Sequence, residues 1–332
     1  MISRVTIAVA VAVLASSCGH RRAIGTSSGA ADTGVDLGSP DGPSVIGPLG
    51  AWPSSPTVFC TDGRQPTSAC PSPGQPAYGQ DGNFPKRIPV YTVTPGSVTD
   101  SVTGLEWQQV ASPPLPWTQA VELCATSGFG QHADWRLPSA RELFSLVDYG
   151  RFDPAADASA FPDALGIFWS SSQQGGNALA VDFADGKPFP GIKDSSNRAR
   201  CVRGAPLAAM FEPSSDGASI LDRSTGLRWA RATTSARYRW MDVLLACPGS
   251  MGGQADWRVP TIKELATLLG AAGEGPSWAT APGNLWSATP SARYSTGAED
   301  GSPAAWRFDG AFSDLAVALM SGESPVACVR SE

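Results

Sequence analysis

The stretch "DWRLPSARELFSLVDYG", residues 134–150, decides the fold because it has the pattern of a turn followed by an amphipathic helix. Ser139 and Glu142 form a capping box, in which both side chains bind backbone amides of the first helical turn. The apolar positions 140, 143, 144 and 147 share one helical face. We therefore predict a structural role for the charged centre of this stretch. Arg136, beside Trp135, is predicted to be a buried, paired guanidinium.

Nearly the same phrase returns as "ADWRVPTIKELATLLG", residues 255–270, where Thr261 and Glu264 repeat the capping box. Position 134 aligns with position 256 at an offset of 122, and the same offset aligns "DSVTGLEW" with "DRSTGLRW". Further on, "FWSS" and "RCVR" return as "LWSA" and "ACVR". The chain therefore contains two copies of one domain, which we name copy 1 (residues 97–204) and copy 2 (residues 215–332).

Each copy has further elements of predictable type. Apolar residues at helical spacing predict a first helix with a cysteine on its buried face. They are Trp117, Ala120, Val121 and Cys124 in copy 1 and Trp240, Val243, Leu244 and Cys247 in copy 2. Later runs such as "IFWSSS" and "NLWSAT" have strand composition. The predicted fold class is α+β, with two helices and a small irregular antiparallel sheet in each copy.

Aromatic residues that recur at equivalent positions of a duplicated domain are predicted to lie in its core. These residues are Trp107, Trp135 and Trp169 in copy 1 and Trp229, Trp257 and Trp286 in copy 2. Arg258 repeats Arg136 beside one of these tryptophans, so the same structural role is expected for both arginines.

The N-terminal residues have the pattern of an export signal. Arg4 precedes an apolar run that is too short to span a bilayer, and "SSC" then ends at Cys18. The pattern predicts a lipoprotein signal peptide over residues 1–18, with Cys18 acylated and held in the lipid bilayer at the outer membrane or cell surface. Ordinary signal-peptidase cleavage and a periplasmic location are the alternatives. Residues 19–56, rich in Gly, Ser and Pro, predict a flexible tether.

Seven cysteines fit an exported location, where disulfides persist. With Cys18 acylated, six remain, and six cysteines allow several connectivities. Because each copy has one early and one late cysteine, the repeat favours pairing within each copy. The predicted disulfides are Cys60 with Cys70 in a lead-in over residues 57–96, Cys124 with Cys201, and Cys247 with Cys328.

Composition argues against several function classes. The net charge is −6, so bulk attraction to nucleic acid is not indicated and we predict no nucleic-acid partner. The chain has only 2 histidines, which weakens any catalytic triad or multi-histidine metal site. No phosphate loop or zinc spacing occurs. We predict no catalytic residue and no cofactor.

Two groups of carboxylates offer the alternatives to this prediction. An acidic loop in copy 1 carries oxygen ligands suited to Ca²⁺, although their spacing matches no EF-hand. Its acids are Asp148, Asp153, Asp157 and Asp163. Asp182 and Asp185 in "VDFADG" are the candidates for a hydrolase pair, although Asp-Gly is ordinary turn chemistry.

The ordered motifs "VTDSVTGLEWQQ", "DWRLPSARELFSLVDYG", "AVDFADG" and "RCVRG" resemble the Lcl C-terminal domain family, named after a collagen-like bacterial adhesin. Copy 1 matches end to end, and copy 2 keeps the order of the motifs with more divergence. The resemblance implies an exported protein with two tandem domains similar to the C-type lectin-like and sulfatase-modifying-factor folds. By analogy with the adhesin, it also implies binding of sulfated glycans.

An anionic glycan needs basic residues, yet copy 1 carries a net charge of −4 and copy 2 of −2. The exception is "DRSTGLRWARATTSARYRW" in copy 2, whose arginines suit sulfate or carboxylate. A solvated face without a ligand is the alternative interpretation. The predicted ligand-binding residues are Arg228, Arg231, Arg237 and Arg239, with the non-repeated Trp278 and Trp306 as sugar-stacking candidates.

The predicted function is therefore an exported, lipid-anchored envelope protein that binds carbohydrate or another surface polymer. A structural or protein-interaction module of the envelope is the second hypothesis, and a hydrolase is the third. The residues themselves name no ligand.

Overall fold

The computed structural model describes most of the chain after the tether. The described residues are 52–56, 60–67, 69–247, 250–251, 253–269, 275–280, 283–291, 303–310 and 314–332. The predicted signal peptide, Cys18 and most of the predicted tether lie outside these ranges. Within them, no helix is long and apolar enough to cross a membrane.

The lead-in begins with a small hairpin of β1 (Cys60–Thr61) and β2 (Pro66–Thr67), which the Cys60–Cys70 disulfide closes. Just before it, Trp52 is buried, and its indole nitrogen donates to the Lys263 carbonyl at 3.0 Å. The prediction of a flexible tether as far as residue 56 is therefore wrong at its end, because Trp52 packs into the core of the folded domains.

Copy 1 combines two antiparallel sheets with two helices. One sheet has the order β3-β4-β5-β9 and the other β6-β7-β8. The strands are β3 (Tyr91–Thr94), β4 (Ser97–Asp100), β5 (Glu106–Gln108), β6 (Ile167–Gln174), β7 (Asn177–Asp182), β8 (Lys187–Gly191) and β9 (Val202–Arg203). The helices are α1 (Trp117–Thr126) and α2 (Ala140–Leu146).

Copy 2 repeats both sheets, as β10-β11-β12-β20 and β16-β17-β18, and adds the pairs β13-β19 and β14-β15. The strands up to the second helix are β10 (Phe211–Pro213), β11 (Ser219–Asp222), β12 (Leu227–Ala230), β13 (Tyr238–Arg239), β14 (Ser250–Met251) and β15 (Gln254–Ala255). The later strands are β16 (Asn284–Pro290), β17 (Ala304–Asp309), β18 (Asp314–Leu319), β19 (Glu323–Ser324) and β20 (Val329–Ser331). The helices are short, α3 (Trp240–Val243) and α4 (Ile262–Leu265). Mixed helices and small antiparallel sheets confirm the α+β class.

Each four-stranded sheet begins before the predicted start of its copy. Strand β3 pairs with β4, and β10 pairs with β11 in the same way. Residues 91–94 and 211–213 are therefore edge strands of copy 1 and copy 2 and not parts of connecting segments.

The capping boxes of α2 and α4 form as predicted. Helix α2 ends at Leu146, before Gly150, and the Lys263 ammonium donates to the carbonyls of Ser145 and Val147 at 2.9 and 2.6 Å. Copy 2 thus satisfies carbonyl groups that the end of a helix leaves open. The predicted face of the first helix is too wide, because Val121 is exposed while Ala120 and Cys124 are buried.

All three predicted disulfides are present. Cys124 lies in α1 as predicted, but α3 ends at Val243, so the prediction that Leu244 and Cys247 belong to the first helix of copy 2 is wrong. The repeated tryptophans are buried as predicted, and in two of the three pairs the indole hydrogen bond also repeats. Trp169 donates to the Leu115 carbonyl at 2.8 Å, and Trp286 donates to the Tyr238 carbonyl at the same distance. Both copies therefore keep one internal framework.

The two copies pack against each other, because the largest hydrophobic cluster contains buried residues of both. Smaller clusters lie within copy 1 and within copy 2. The buried Arg141 of copy 1 forms an ion pair with the buried Asp222 of copy 2. The rings of Tyr149 and Trp306 meet edge to face across the same junction, with centroids 5.2 Å apart. Each copy therefore covers apolar surface of the other.

Candidate functional site

The repeated Arg-Glu motif forms a bidentate ion pair in each copy. Arg136 donates to Glu142 at 2.7 and 2.6 Å, and Arg258 donates to Glu264 at 2.8 and 2.5 Å. The sequence predicted a paired arginine without naming its partner, which is the capping glutamate six residues later. Arg136 is less buried than predicted, with its side chain 31% exposed.

The protonation of these glutamates supports a structural role. Burial acts to raise the pKa of Glu142 and of Glu264, but the hydrogen bonds and positive charge of the facing arginine outweigh it. The pKa of each carboxyl therefore lies below its ordinary value. A glutamate that stays ionised at neutral pH suits a cap and an ion pair better than a general acid.

The arginines of the basic stretch in copy 2 divide into two groups. Arg228 pairs with Glu332 and also donates to the Ser219 hydroxyl at 3.3 Å, so its charge is neutralised locally. This contact makes Arg228 a poor ligand-binding candidate, contrary to the prediction. Arg231, Arg237 and Arg239 are exposed and form no ion pair within the described chain.

Arg307 joins two of these arginines, and we name Arg237, Arg239 and Arg307 the arginine patch. Arg237 and Arg239 flank Tyr238 in an extended segment, so they project to the same side. The Arg307 guanidinium lies over the Trp286 ring, 4.0 Å from its centroid. Burial lowers the pKa of Arg307, and the positive charge of Arg237 lowers it further.

The patch is short of compensating charge. Arg237 donates to the Glu323 backbone carbonyl at 2.7 Å, and Glu323 lies opposite Arg239 in the strand pair. Even so, no carboxylate in the described ranges comes within ion-pair distance of Arg237, Arg239 or Arg307. Like charges brought together without partners favour an added anion.

Sequence inspection missed Arg307 because it lies 68 residues after Arg239. The pairing of β16 with β17 places Arg307 directly opposite Trp286. The internal repeat could have located Arg307, since β6 pairs with β7 in copy 1 in the same manner as β16 pairs with β17 in copy 2.

The arginine patch belongs to copy 2 alone. The residues of copy 1 equivalent to Arg237, Arg239 and Arg307 are Pro114, Pro116 and Ala180. Copy 1 has instead a single lysine in this region, Lys193, whose ammonium lies 4.6 Å from the centroid of the Trp117 ring.

Trp278 and Trp306 do not form a sugar-stacking surface, contrary to the prediction. They are only 8% and 4% exposed. Trp278 packs on Trp229 and donates to the Ala230 carbonyl at 2.8 Å, while Trp306 fills the junction against Tyr149. They are absent from copy 1 because the two copies fill equivalent core positions with different side chains.

The carboxylates considered for Ca²⁺ and for hydrolysis have local partners. Asp163 pairs with Arg198 and Arg200, while Asp182 and Asp185 accept backbone amides of their own turn at 2.8 and 3.2 Å. In the part of the chain that the structure describes, no three metal-ligating side chains converge.

A comparison with curated proteins gives no significant match. The family model of the Lcl C-terminal domain matches residues 96–203 and again residues 218–330, together more than half of the chain. These matches coincide with the two structural copies and their shared caps, tryptophans and disulfides. The chain belongs to the Lcl C-terminal domain family, whose domain it carries twice.

Proposed function

We propose that this protein is an exported, lipid-anchored binding protein of the cell envelope, with C-type lectin-like copies, whose copy 2 holds a sulfated or carboxylated glycan. The observation that carries the proposal is the arginine patch. Its three guanidiniums lack ion-pair partners in the described ranges, and Arg307 is held against Trp286.

Guanidinium groups suit this task because they form two parallel hydrogen bonds to sulfate or carboxylate oxygens and stay charged at any physiological pH. The whole chain carries a net charge of −6, so binding depends on the patch and not on bulk attraction. Added salt should weaken it, because exposed charges are screened over about 8 to 10 Å at 0.1 to 0.15 M salt.

The patch is tested by binding of the purified protein to dextran sulfate and to heparin at several salt concentrations. Replacing both exposed arginines, Arg237→Ser with Arg239→Ser, should weaken binding at least tenfold at low salt. A control that also removes two exposed charges, Arg64→Ser with Arg87→Ser, should change affinity less than threefold. Equal weakening by both pairs, or no binding to any anionic polymer, would contradict the proposal.

The anchor is a separate part of the proposal and rests on Cys18 following a short apolar segment. Intact mass of the protein isolated from membranes should show a diacylated Cys18 as its first residue. Cys18→Ala should release the protein into the soluble fraction. An unmodified Cys18 in the membrane-isolated protein would remove the anchor and leave the glycan proposal intact.

A further inference from the structure

A cavity of about 70 Å³ lies where the lead-in meets copy 2. Trp52, Phe84 and Leu227 are the large apolar side chains of its lining. The charged residues of the lining include Arg258, which stacks on Phe84, and Glu264, Asp81 and Lys86. Pockets that bind drug-sized ligands have volumes of roughly 300 to 1,000 Å³, so this smaller cavity suits one side chain with its peptide group better than a sugar ring system.

The equivalent place in copy 1 is occupied by the chain itself. After β9 the backbone runs past the Arg136–Glu142 pair, and the Leu207 amide donates to Glu142 Oε1 at 3.1 Å. Arg136 Nη2 donates to the Gly204 carbonyl at 3.4 Å. The Leu207 side chain packs against the core. In copy 1 the ion pair therefore recognises an extended peptide by offering one acceptor and one donor to its backbone.

In copy 2 the Phe84 ring of the lead-in covers Arg258, with its centroid 4.4 Å from the guanidinium carbon. Within the described residues, only the glutamate of the pair lacks a cover like that of copy 1. Glu264 accepts from Arg258 and from the Thr261 amide at 2.8 Å, but no backbone amide in the described part of the chain takes the role of Leu207. The Glu264 side chain is 12% exposed, against 1% for Glu142. In copy 1 the Leu207 amide covers the Glu142 carboxylate, whereas in copy 2 the equivalent Glu264 lines the cavity.

We infer that this cavity binds an extended peptide segment with an apolar side chain, held through its backbone as Gly204 and Leu207 are held in copy 1. The peptide amide donates to Glu264 Oε1, its carbonyl accepts from Arg258, and its apolar side chain contacts Trp52, Phe84 and Leu227. This site is separate from the arginine patch and does not depend on the glycan proposal.

The test uses the full-length protein and a fluorescent peptide with the linker sequence "GAPLAAM", residues 204–210. Fluorescence anisotropy should show saturable binding. The same peptide with its leucine amide N-methylated lacks the N–H that donates to Glu264, and it should bind at least tenfold more weakly. Equal binding of the two peptides overturns the inference, and so does an absence of binding at millimolar peptide.

A protein variant tests the location of the site. Ser331 is exposed and lines the cavity, so Ser331→Tyr should fill the opening and weaken peptide binding at least tenfold. Ser72→Tyr, an exposed serine outside the cavity lining, serves as the matched control and should bind as the unmodified protein does. Thermal melting and dextran sulfate binding should be unchanged in Ser331→Tyr. Peptide binding that survives Ser331→Tyr places the peptide elsewhere and overturns the inference.

Discussion

The two copies fill one equivalent core position in different ways. In copy 1 the Arg200 guanidinium lies over the Phe161 ring, 4.8 Å from its centroid, and pairs with Asp163 at 2.6 Å. In copy 2 alignment on the repeated tryptophans and cysteines puts Trp278 at the position of Phe161 and Ala327 at that of Arg200. A larger aromatic ring with a small neighbour thus replaces a ring with a buried cation.

Both solutions satisfy the same backbone carbonyl. Arg200 donates to the Gln108 carbonyl at 2.8 Å, and the Trp278 indole donates to the Ala230 carbonyl at 2.8 Å. Gln108 and Ala230 are equivalent in the repeat. The fold needs a donor at this point and accepts either a guanidinium or an indole, because an unpaired buried carbonyl is costly.

The two arrangements, an ion pair in copy 1 and apolar packing in copy 2, should respond differently to substitution. A buried ion pair gives little net stability compared with apolar packing of similar volume, but breaking it from one side is costly. Copy 1 is therefore expected to be sensitive to single substitutions and to acid at this position, and copy 2 is expected to be tolerant.

The largest expected loss of stability follows from removing the long disulfide of either copy. The Cys124–Cys201 and Cys247–Cys328 disulfides span 77 and 81 residues, so they restrict the unfolded chain to a similar extent. Replacing either pair by alanines should lower the free energy of unfolding by about 4 to 5 kcal/mol. Chemical denaturation measures both. A difference between the two above about 2 kcal/mol would mean that the copies do not share one cooperative core.

Asp163→Ala should destabilise the protein by about 3 to 5 kcal/mol, because Arg200 stays buried without its carboxylate. A triple variant that copies the other domain, Phe161→Trp, Asp163→Thr and Arg200→Ala, should recover most of this loss. Denaturation of the two variants side by side measures the difference. No recovery in the triple variant would show that the two solutions are not interchangeable.

The Asp163 carboxylate should also make the stability of the protein depend on pH in the acid range. Burial acts to raise the pKa of Asp163, but the charge and hydrogen bonds of Arg200 outweigh it, so the folded pKa lies below the ordinary value. The stability that Asp163 contributes is therefore present above the ordinary pKa of about 4 and is lost as the pH falls through the lower folded pKa. Between pH 7 and pH 3, Asp163→Ala should lose less stability than the unmodified protein.

Lys263 of copy 2 and its equivalent Arg141 of copy 1 should affect stability differently at alkaline pH. Burial lowers the pKa of Lys263 to about 8, from 10.5. Between these values the unfolded chain binds more protons than the folded one, so stability should rise with pH by up to about 1.4 kcal/mol per unit. Urea denaturation from pH 8 to pH 10.5 should show this rise relative to Lys263→Met. Arg141→Met should keep the slope of the unmodified protein, since it retains Lys263, and a lost slope would contradict the assignment.

The smallest expected effect is at Trp278. Trp278→Phe keeps an aromatic ring but removes the donor to the Ala230 carbonyl, and it should cost about 1 to 3 kcal/mol. Thermal denaturation measures it. A loss as large as that of Asp163→Ala would show that copy 2 is no more tolerant than copy 1.

The predictions that succeeded rest on local pattern or on repetition. The capping boxes at Ser139 and Thr261 depend on residues three apart, and the disulfides and core tryptophans follow from their recurrence in two copies. The partner of Arg136 was within reach as well, because Glu142 follows six residues later and Arg258 repeats the spacing.

Several predictions failed because they placed tryptophan side chains at the surface that are in fact buried. Trp278 and Trp306 were assigned to the surface because copy 1 lacks them, yet their partners Trp229 and Tyr149 lie far away in sequence. Trp52 seemed part of a tether because its neighbours are small and polar, although a single indole is enough to dock the segment.

By itself the sequence determined the duplication, the family, the caps and the disulfide pairing, since each is written in residue spacing. Only the tertiary structure decided which charges are neutralised. Arg228 and Arg307 look alike in sequence, but folding brings Arg228 to Glu332 and places Arg307 over Trp286 beside Arg237. An arginine becomes a candidate binding group through the absence of a nearby carboxylate, and strand pairing between distant segments sets that distance.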